Sequence, residues 1–191
     1  MPMSPPCQLC GSTDWADLPV PMPTHSVRSD GAIIPSPLAK VHCRTCGLGR
    51  ARTPTVQPDL TAAYETTYDM YANRPRAEEF DASRYTAMAE AVDTLLGEVT
   101  PRRVLEIGCG NGSMLAALAR RWPTAILAGV EPAGSAADEA RRRGFDVIGG
   151  TAGGDSIARL GDDFDLVVSF NVIEHTAEPD AFVAAAVAHL A

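Results

Sequence analysis

Three glycines at positions 108, 110 and 112 restrict the possible folds of this chain more than any other feature. They lie within Val104–Leu115, which reads VLEIGCGNGSML, between an apolar run and a helical pattern. Glycine has no Cβ and tolerates positive φ, so such a loop can bring bare backbone against a ligand. The glycines alone do not identify this ligand, so its identity has to be inferred from the residues around the loop.

From Pro101 onward, short apolar runs alternate with helical patterns. Strands are predicted at 103–107, 125–130, 145–148 and 165–169, and helices at 113–121, 135–143, 155–160 and 181–190. Such alternation predicts right-handed βαβ units and a parallel sheet. Ligands of these sheets bind beyond the carboxyl ends of the strands, where the glycine loop lies.

Glu106 and the spacing of the glycines argue against a dinucleotide. A dinucleotide fingerprint is G-x-G-x-x-G, whereas this loop reads G-x-G-x-G and follows Glu106. A carboxylate there repels a pyrophosphate and suits an ammonium group. Glu131, at the end of the second strand, can accept hydrogen bonds from both ribose hydroxyls, although NAD-binding folds share this feature. Glu106 and the loop spacing together favour S-adenosylmethionine over NAD, and an NAD-dependent oxidoreductase remains the less favoured interpretation.

Four of the five cysteines form two CxxC pairs, each followed by glycine: Cys7, Cys10, Cys43 and Cys46. Two such turns can offer four thiolates to a tetrahedral Zn²⁺ ion, and a closed shell of four cysteines predicts a structural rather than a catalytic site. The long intervening segment is tolerable because loop-closure entropy grows slowly with length. His25 and His42 are alternative ligands, and redox or disulfide chemistry is the alternative function.

Three motifs in order across residues 104–179 resemble the class I S-adenosylmethionine-dependent methyltransferases: LEIGCGNG, GVEP and FDLVVSFNVIEHTAEP. The CxxCG…CxxCGL pattern ahead of a tyrosine-containing segment is similar to bacterial members with an attached zinc ribbon. The resemblance implies an α/β fold with a Rossmann-like parallel sheet. It also implies methyl transfer to a small-molecule acceptor such as a sugar, a quinone or a secondary metabolite.

The resemblance also assigns cofactor contacts. Glu106 would meet the methionine ammonium, the glycines of the loop would approach the ligand, and Glu131 would hold the ribose. The remaining cofactor-binding positions that it implies are Pro132 beside Glu131, Thr151 near the adenine, and Phe170 and Asn171 at the methionine end. Cys109, inside the loop, is interpreted as a small filler rather than a reactive thiol.

Glu174 and His175 are the predicted catalytic pair, because they follow the fourth strand at the edge where ligands bind. His175 would remove a proton from the acceptor, and Glu174 would be its partner or a substrate contact. Structural support of the loop is an alternative. A divalent-cation site is another, but Asn171 stands where related E-x-x-E-H motifs have a carboxylate.

The chain divides by sequence into a zinc-ribbon-like module (1–58), a helical linker or lid (59–100) and an incomplete cofactor-binding domain (101–191). A helix is predicted over 60–71, with Tyr64, Tyr68 and Tyr71 either packing it or closing over a ligand. A second helix is predicted over 80–97, with an apolar stripe formed by Tyr85, Met88, Ala89, Val92, Leu95 and Leu96. The family would add further strands after Ala191, so we expect a fragment, a sheet completed by a second chain, or a non-catalytic zinc-ribbon adaptor.

Charge is distributed unevenly along the 191 residues. Residues 1–58 carry five basic and three acidic side chains, whereas 59–191 carry eleven basic and twenty-one acidic ones. The acidic second part is a poor non-specific partner for nucleic acid. No apolar run reaches the roughly 20 residues of a membrane span, and no secretory signal is recognisable, so a cytoplasmic location is expected.

Overall fold

The computed structural model describes residues 5–27, 33–52, 77–151, 157–176 and 178–191. The chain forms two compact units, Met1–Pro58 and Asp59–Ala191. The predicted helix over 60–71 and its three tyrosines lie outside the described residues.

The first unit contains a three-stranded antiparallel sheet and a separate two-stranded hairpin. The strands are β1 Trp15–Leu18, β2 Ser26–Val27, β3 Ile33–Ile34, β4 Lys40–Cys43 and β5 Gly49–Ala51. The three-stranded sheet has the order β1-β4-β5, and β2 pairs with β3. Within the described part of this unit, only Cys7, Val41 and Cys43 are fully buried. So small a core suits a module that is stabilised by a metal.

The second unit contains the predicted parallel sheet, with all four strands present. The strands are β6 Arg103–Ile107, β7 Ile126–Glu131, β8 Asp146–Gly149 and β9 Leu166–Val168. Their order in the sheet is β8-β7-β6-β9. β6 has the predicted bounds, and each of the others differs from its prediction by one residue at either end. β7 and β9 flank β6, so the strand order reverses there, and ligands of open α/β sheets bind at such a reversal.

Helices cover both faces of this sheet. The α-helices are α1 Ala77–Leu96, α2 Ser113–Arg121, α3 Gly134–Arg142 and α4 Pro179–Val187, and two short 3-10 helices span Ile157–Leu160 and Ile173–His175. Residues of α1, α2 and α3 form the main apolar core with one face of the sheet. The other face packs Phe164 and side chains of α4 around Leu105 and Val130.

Helix α1 packs onto α2 largely as its apolar spacing predicts. Tyr85 and Ala89 are buried, and a polar contact reinforces the packing, since Asp93 of α1 accepts hydrogen bonds from Arg121 and from Nε1 of Trp122. Leu95 was expected on the apolar stripe but is 87% exposed. The Leu95 side chain, in the last turn of α1, therefore points away from the core.

The edge of the sheet at β9 is partly paired by the end of the chain. Phe164 forms a parallel bridge with Leu190. Its N–H donates to the His189 carbonyl (3.1 Å), and its carbonyl accepts from the Ala191 N–H (3.0 Å). Among the described strands, β9 itself pairs only with β6. No described helix is long and apolar enough to cross a membrane.

Candidate cofactor and metal sites

The glycine loop is held over the end of β7 by backbone hydrogen bonds. The N–H groups of Gly108 and Cys109 both donate to the Val130 carbonyl, at 2.8 and 3.1 Å. Gly108, Gly110 and Gly112 have φ of 77°, 54° and 79°, the left-handed region in which side chains are disfavoured. The loop therefore requires the glycines that mark it in the sequence.

Two of these glycines are also required by close contacts within the protein. A Cβ on Gly108 would lie 2.3 Å from Cγ2 of Val172, in the segment after β9. A Cβ on Gly112 would lie 3.0 Å from the Phe145 ring and 3.1 Å from Cβ of Ala140. Gly112 thus has a helix-packing role that sequence reasoning missed, and its approach to a ligand stays a prediction.

Glu106 lies at the carboxyl end of β6 and is only 2% exposed. Its Oε2 has no hydrogen-bond partner among the described residues. Burial raises the pKa of this carboxyl to about 8, the nearby charge of Glu131 adds to the increase, and the backbone of Leu115 opposes it. A buried carboxyl oxygen without a partner is costly unless a ligand satisfies it.

Glu131 ends β7 and joins two loops through its carboxylate. Oε2 accepts from the Gly110 N–H and Oε1 from the Ala133 N–H, both at 2.8 Å. Burial raises the pKa of Glu131, and these two backbone hydrogen bonds oppose that shift. Each carboxylate oxygen retains further acceptor capacity, so Glu131 could also accept from the hydroxyls of a ribose.

The other predicted cofactor residues follow the carboxyl ends of the strands. Pro132 is half-buried directly after β7, and Thr151 is exposed after β8. Phe170 packs against the main core. Asn171 is exposed with φ of 56°, and is the one described non-glycine residue with positive φ. Asn171 thus forms the turn that leads into Val172.

Cys109 has the environment of a small core residue. It is buried, and a Cβ on Gly129 would come within 2.5 Å of its Sγ. Burial raises the pKa of this thiol, with the charges of Glu106 and Glu131 adding to the effect. A thiol held protonated in this way is a poor nucleophile, in keeping with the interpretation as a filler.

Glu174 and His175 lie on the 3-10 helix that follows Val172. Both side chains are exposed, and the His175 N–H donates to the Val172 carbonyl at 2.8 Å. The contact between Val172 and Gly108 places this short helix beside the glycine loop, at the edge expected for an acceptor. Sequence reasoning missed Val172, because nothing in its immediate neighbourhood marks it.

The four cysteines of the first unit come together as predicted. Their Sγ atoms all lie within 4.8 Å of one another, with 3.5 Å between Cys7 and Cys46 and 3.6 Å between Cys10 and Cys43. A tetrahedron with Zn–S bonds of about 2.3 Å has S···S edges of about 3.8 Å. Disulfides need about 2.05 Å, and all four thiols are free.

The two CxxC turns have matching backbone geometry. The N–H of Gly11 donates to the Cys7 carbonyl (2.8 Å), and that of Gly47 donates to the Cys43 carbonyl (2.9 Å). Both glycines have φ above 70°, although a Cβ would meet nothing within 4 Å. Backbone conformation rather than crowding therefore requires them. Among the described residues, neither His25 nor His42 belongs to this cluster.

Comparison with known proteins agrees with this geometry. A family profile described as a methyltransferase domain matches residues 80–191. The chain is 36% identical over 74 residues to a trans-aconitate 2-methyltransferase of Rhodococcus jostii, covering 35% of this chain and 29% of that protein. It is 34% identical over 85 residues to a ubiquinone biosynthesis O-methyltransferase of Agrobacterium fabrum, covering 42% and 33%.

A solved structure is similar over a longer stretch. It is that of an amino pentose methyltransferase from Micromonospora echinaspora, involved in calicheamicin biosynthesis and solved with S-adenosylmethionine bound. It is 27% identical with a TM-score of 0.50, covering 65% of this chain and 54% of that one. This chain spans about a third of the length of the two curated relatives. The family profile covers more than half of the residues of this chain. The chain therefore belongs to the methyltransferase-domain family and has the fold of the class I S-adenosylmethionine-dependent methyltransferases.

Proposed function

We propose that this protein binds S-adenosylmethionine at the carboxyl edge of its parallel sheet and methylates a small-molecule acceptor. The observation that carries the proposal is the buried Glu106 carboxyl with an unpartnered oxygen, beside the glycine loop and Glu131. An ammonium group would satisfy this carboxyl and favour its ionised form. The ribose would meet Glu131, whose carboxylate is already oriented by two backbone N–H groups.

When bound, S-adenosylmethionine supplies a methyl group on a good leaving group. The protein's own residues then have to orient the acceptor, exclude water and manage a proton. Alignment of this kind can lower the activation free energy by roughly 7–11 kcal/mol. We assign proton removal to a ring nitrogen of His175, with Glu174 as its partner or as an acceptor contact, because both are exposed beside the loop.

The acceptor that we propose is a sugar, a quinone or a secondary metabolite. The relatives are named for trans-aconitate, for ubiquinone biosynthesis and for an amino pentose, all small molecules. The excess of acidic residues in 59–191 also disfavours a nucleic-acid acceptor.

We propose in addition that the four-cysteine cluster holds a structural zinc ion. Four thiolates complete a tetrahedral shell, so no position is left for a substrate or a reacting water. The ligation would stabilise a unit whose described part buries very few side chains.

Calorimetric titration with S-adenosylhomocysteine tests the cofactor site. We expect saturable one-to-one binding, lost on Glu131→Ala and weakened at least tenfold by Glu106→Gln, because each removes a charged acceptor. Glu98→Gln changes an exposed carboxylate outside the site and should bind like the parent. No binding by folded parent chain would refute the proposal and favour the non-catalytic adaptor.

In catalytically active protein, His175→Gln should lower kcat while leaving affinity for S-adenosylhomocysteine unchanged. Unchanged kcat would exclude the proposed role of His175 as a base.

A further inference from the structure

The C-terminal end of α3 is connected to the glycine loop by a chain of side-chain hydrogen bonds. Nη1 of Arg143 donates to Oγ of Ser113 at 3.1 Å. The Ser113 hydroxyl in turn donates to Oδ1 of Asn111 at 2.7 Å, and the same oxygen accepts from the Ser113 N–H at 3.2 Å. We call these three residues the Arg143 relay.

The arginine at the start of the relay also forms an ion pair with a residue of α3. Nε of Arg143 is 3.2 Å from Oε1 of Glu139, one turn earlier on α3. Ala140 and Phe145 pack against Gly112 from the same side. The end of α3 therefore contacts the loop through both apolar packing and the relay.

The relay ends on the residue between the second and third glycines of the loop. Asn111 separates Gly110 from Gly112, and the Gly110 N–H is held by Glu131. The conformation of Asn111 thus helps to determine where the Gly110 backbone and the Glu131 carboxylate lie. Both belong to the surface that we assign to the cofactor.

Helix stability does not explain the whole relay. The Asn111 side chain satisfies one of the free N–H groups in the first turn of α2, which is an ordinary helix-end role. A cation beside the N-terminus of α2, in contrast, opposes the helix dipole. Arg143 also interacts favourably with the end of its own helix, but that interaction does not require a bond to Ser113.

We propose that Arg143 and Ser113 are positioning residues that hold the glycine loop, through Asn111, in its cofactor-binding conformation. The inference rests on the proposed function, because it assigns the loop to S-adenosylmethionine. Neither residue need touch the ligand. Removing either should increase the fraction of chains in which the loop is displaced, and binding would then have to restore its conformation.

The test is titration of the full 191-residue chain with S-adenosylhomocysteine. Ser113→Ala and Arg143→Gln should each weaken binding about 3- to 10-fold, the range that one net hydrogen bond supplies. The double variant should bind S-adenosylhomocysteine no more weakly than the single variant with the larger loss of affinity, because both changes break the same chain of contacts. Ser113→Thr retains the hydroxyl and should bind like the parent.

Arg142→Gln is the matched control. Arg142 is the neighbouring arginine, its side chain is 70% exposed, and it pairs with the same Glu139. Equal weakening by Arg142→Gln would show a general charge effect and overturn the relay. So would unchanged affinity in both single variants, or additive losses in the double variant.

Thermal unfolding of the ligand-free variants separates positioning from general stability. We expect similar midpoints for the parent and the single variants. If Ser113→Ala unfolds, Arg143→Gln decides the question, and unchanged affinity in that variant would overturn the relay. A folded parent chain that binds no S-adenosylhomocysteine would instead refute the proposed function, together with this inference.

Discussion

At the scale of single residues, Glu106 and Glu131 are two buried carboxyl groups whose surroundings differ. Glu131 has both oxygens engaged by backbone N–H groups. Glu106 is buried with one oxygen unpartnered, and its pKa is raised to about 8. Near neutral pH the ligand-free protein therefore holds Glu106 mainly protonated, and a bound ammonium would favour its ionisation.

This difference predicts proton release on cofactor binding. Between pH 6 and pH 8 the affinity for S-adenosylhomocysteine should rise with pH, by up to about tenfold per pH unit, because binding shifts Glu106 to its charged form. Calorimetry in buffers of different ionisation enthalpy measures the protons released. Glu106→Gln should lose this buffer dependence, and a parent chain without it would contradict the assignment of the ammonium to Glu106.

The same group should affect the pH dependence of stability. A carboxyl whose pKa is raised in the folded state favours folding below its unfolded pKa of 4.5, and this contribution is lost as pH rises towards 8. In denaturant titrations, the unfolding free energy of the ligand-free parent should therefore fall over this range relative to that of Glu106→Gln.

At the scale of elements, the loop after β6 and the segment after β9 fit together through one contact. Gly108 leaves no space for a Cβ because Val172 lies against it. β6 and β9 are neighbours in the sheet, so this contact fixes the start of the helix that carries Glu174 and His175. The contact therefore relates the cofactor loop to the proposed acceptor side.

Gly108→Ala should destabilise the protein more than Gly97→Ala does. Both glycines have positive φ, but a Cβ on Gly97 would meet nothing within 4 Å. Gly97→Ala thus isolates the backbone penalty of about 1–2 kcal/mol, and Gly108→Ala should add about 1–3 kcal/mol of overpacking. Chemical denaturation measures both.

Val172→Ala should recover part of the loss caused by Gly108→Ala, because it removes the Cγ2 atom in the way. Equal destabilisation by the two glycine substitutions, or no recovery in the double variant, would show that the contact with Val172 is unimportant.

At the scale of the whole molecule, the two compact units are stabilised in different ways. Asp59–Ala191 has apolar cores on both faces of its sheet. Met1–Pro58 has three fully buried side chains among its described residues, and two of them are cysteines of the cluster. A bound metal would thus provide much of the folding free energy of the first unit, and structural zinc can supply about 10–16 kcal/mol.

Removal of the metal should therefore unfold the first unit. We expect about one zinc per chain in reduced protein and loss of the β-sheet signal of Met1–Pro58 on chelation, because four thiolates form a closed site. Cys43→Ser should abolish stoichiometric zinc, whereas Cys109→Ser, outside the cluster, should retain it. Zinc well below one per chain in the parent, or retained by Cys43→Ser, would contradict the proposed site.

The sequence by itself determined the features that depend on local pattern. Apolar periodicity located the four parallel strands within two residues, and the paired CxxC turns identified the cysteine cluster. Glycine spacing and the acidic residues at two strand ends indicated the family, which the matching profile confirms. Such features are readable because helices, strands and tight turns impose short, fixed spacings on the residues that form them.

Only the tertiary structure decided contacts between residues far apart in the chain. The burial of Glu106 depends on neighbouring strands, the Val172 contact joins segments about sixty residues apart, and Arg143 reaches Ser113 across thirty residues. The exposure of Leu95 likewise is not specified by the helical periodicity of its segment. No local spacing encodes these relations, because packing of separate elements creates both the steric contacts and the low-dielectric surroundings that shift a pKa.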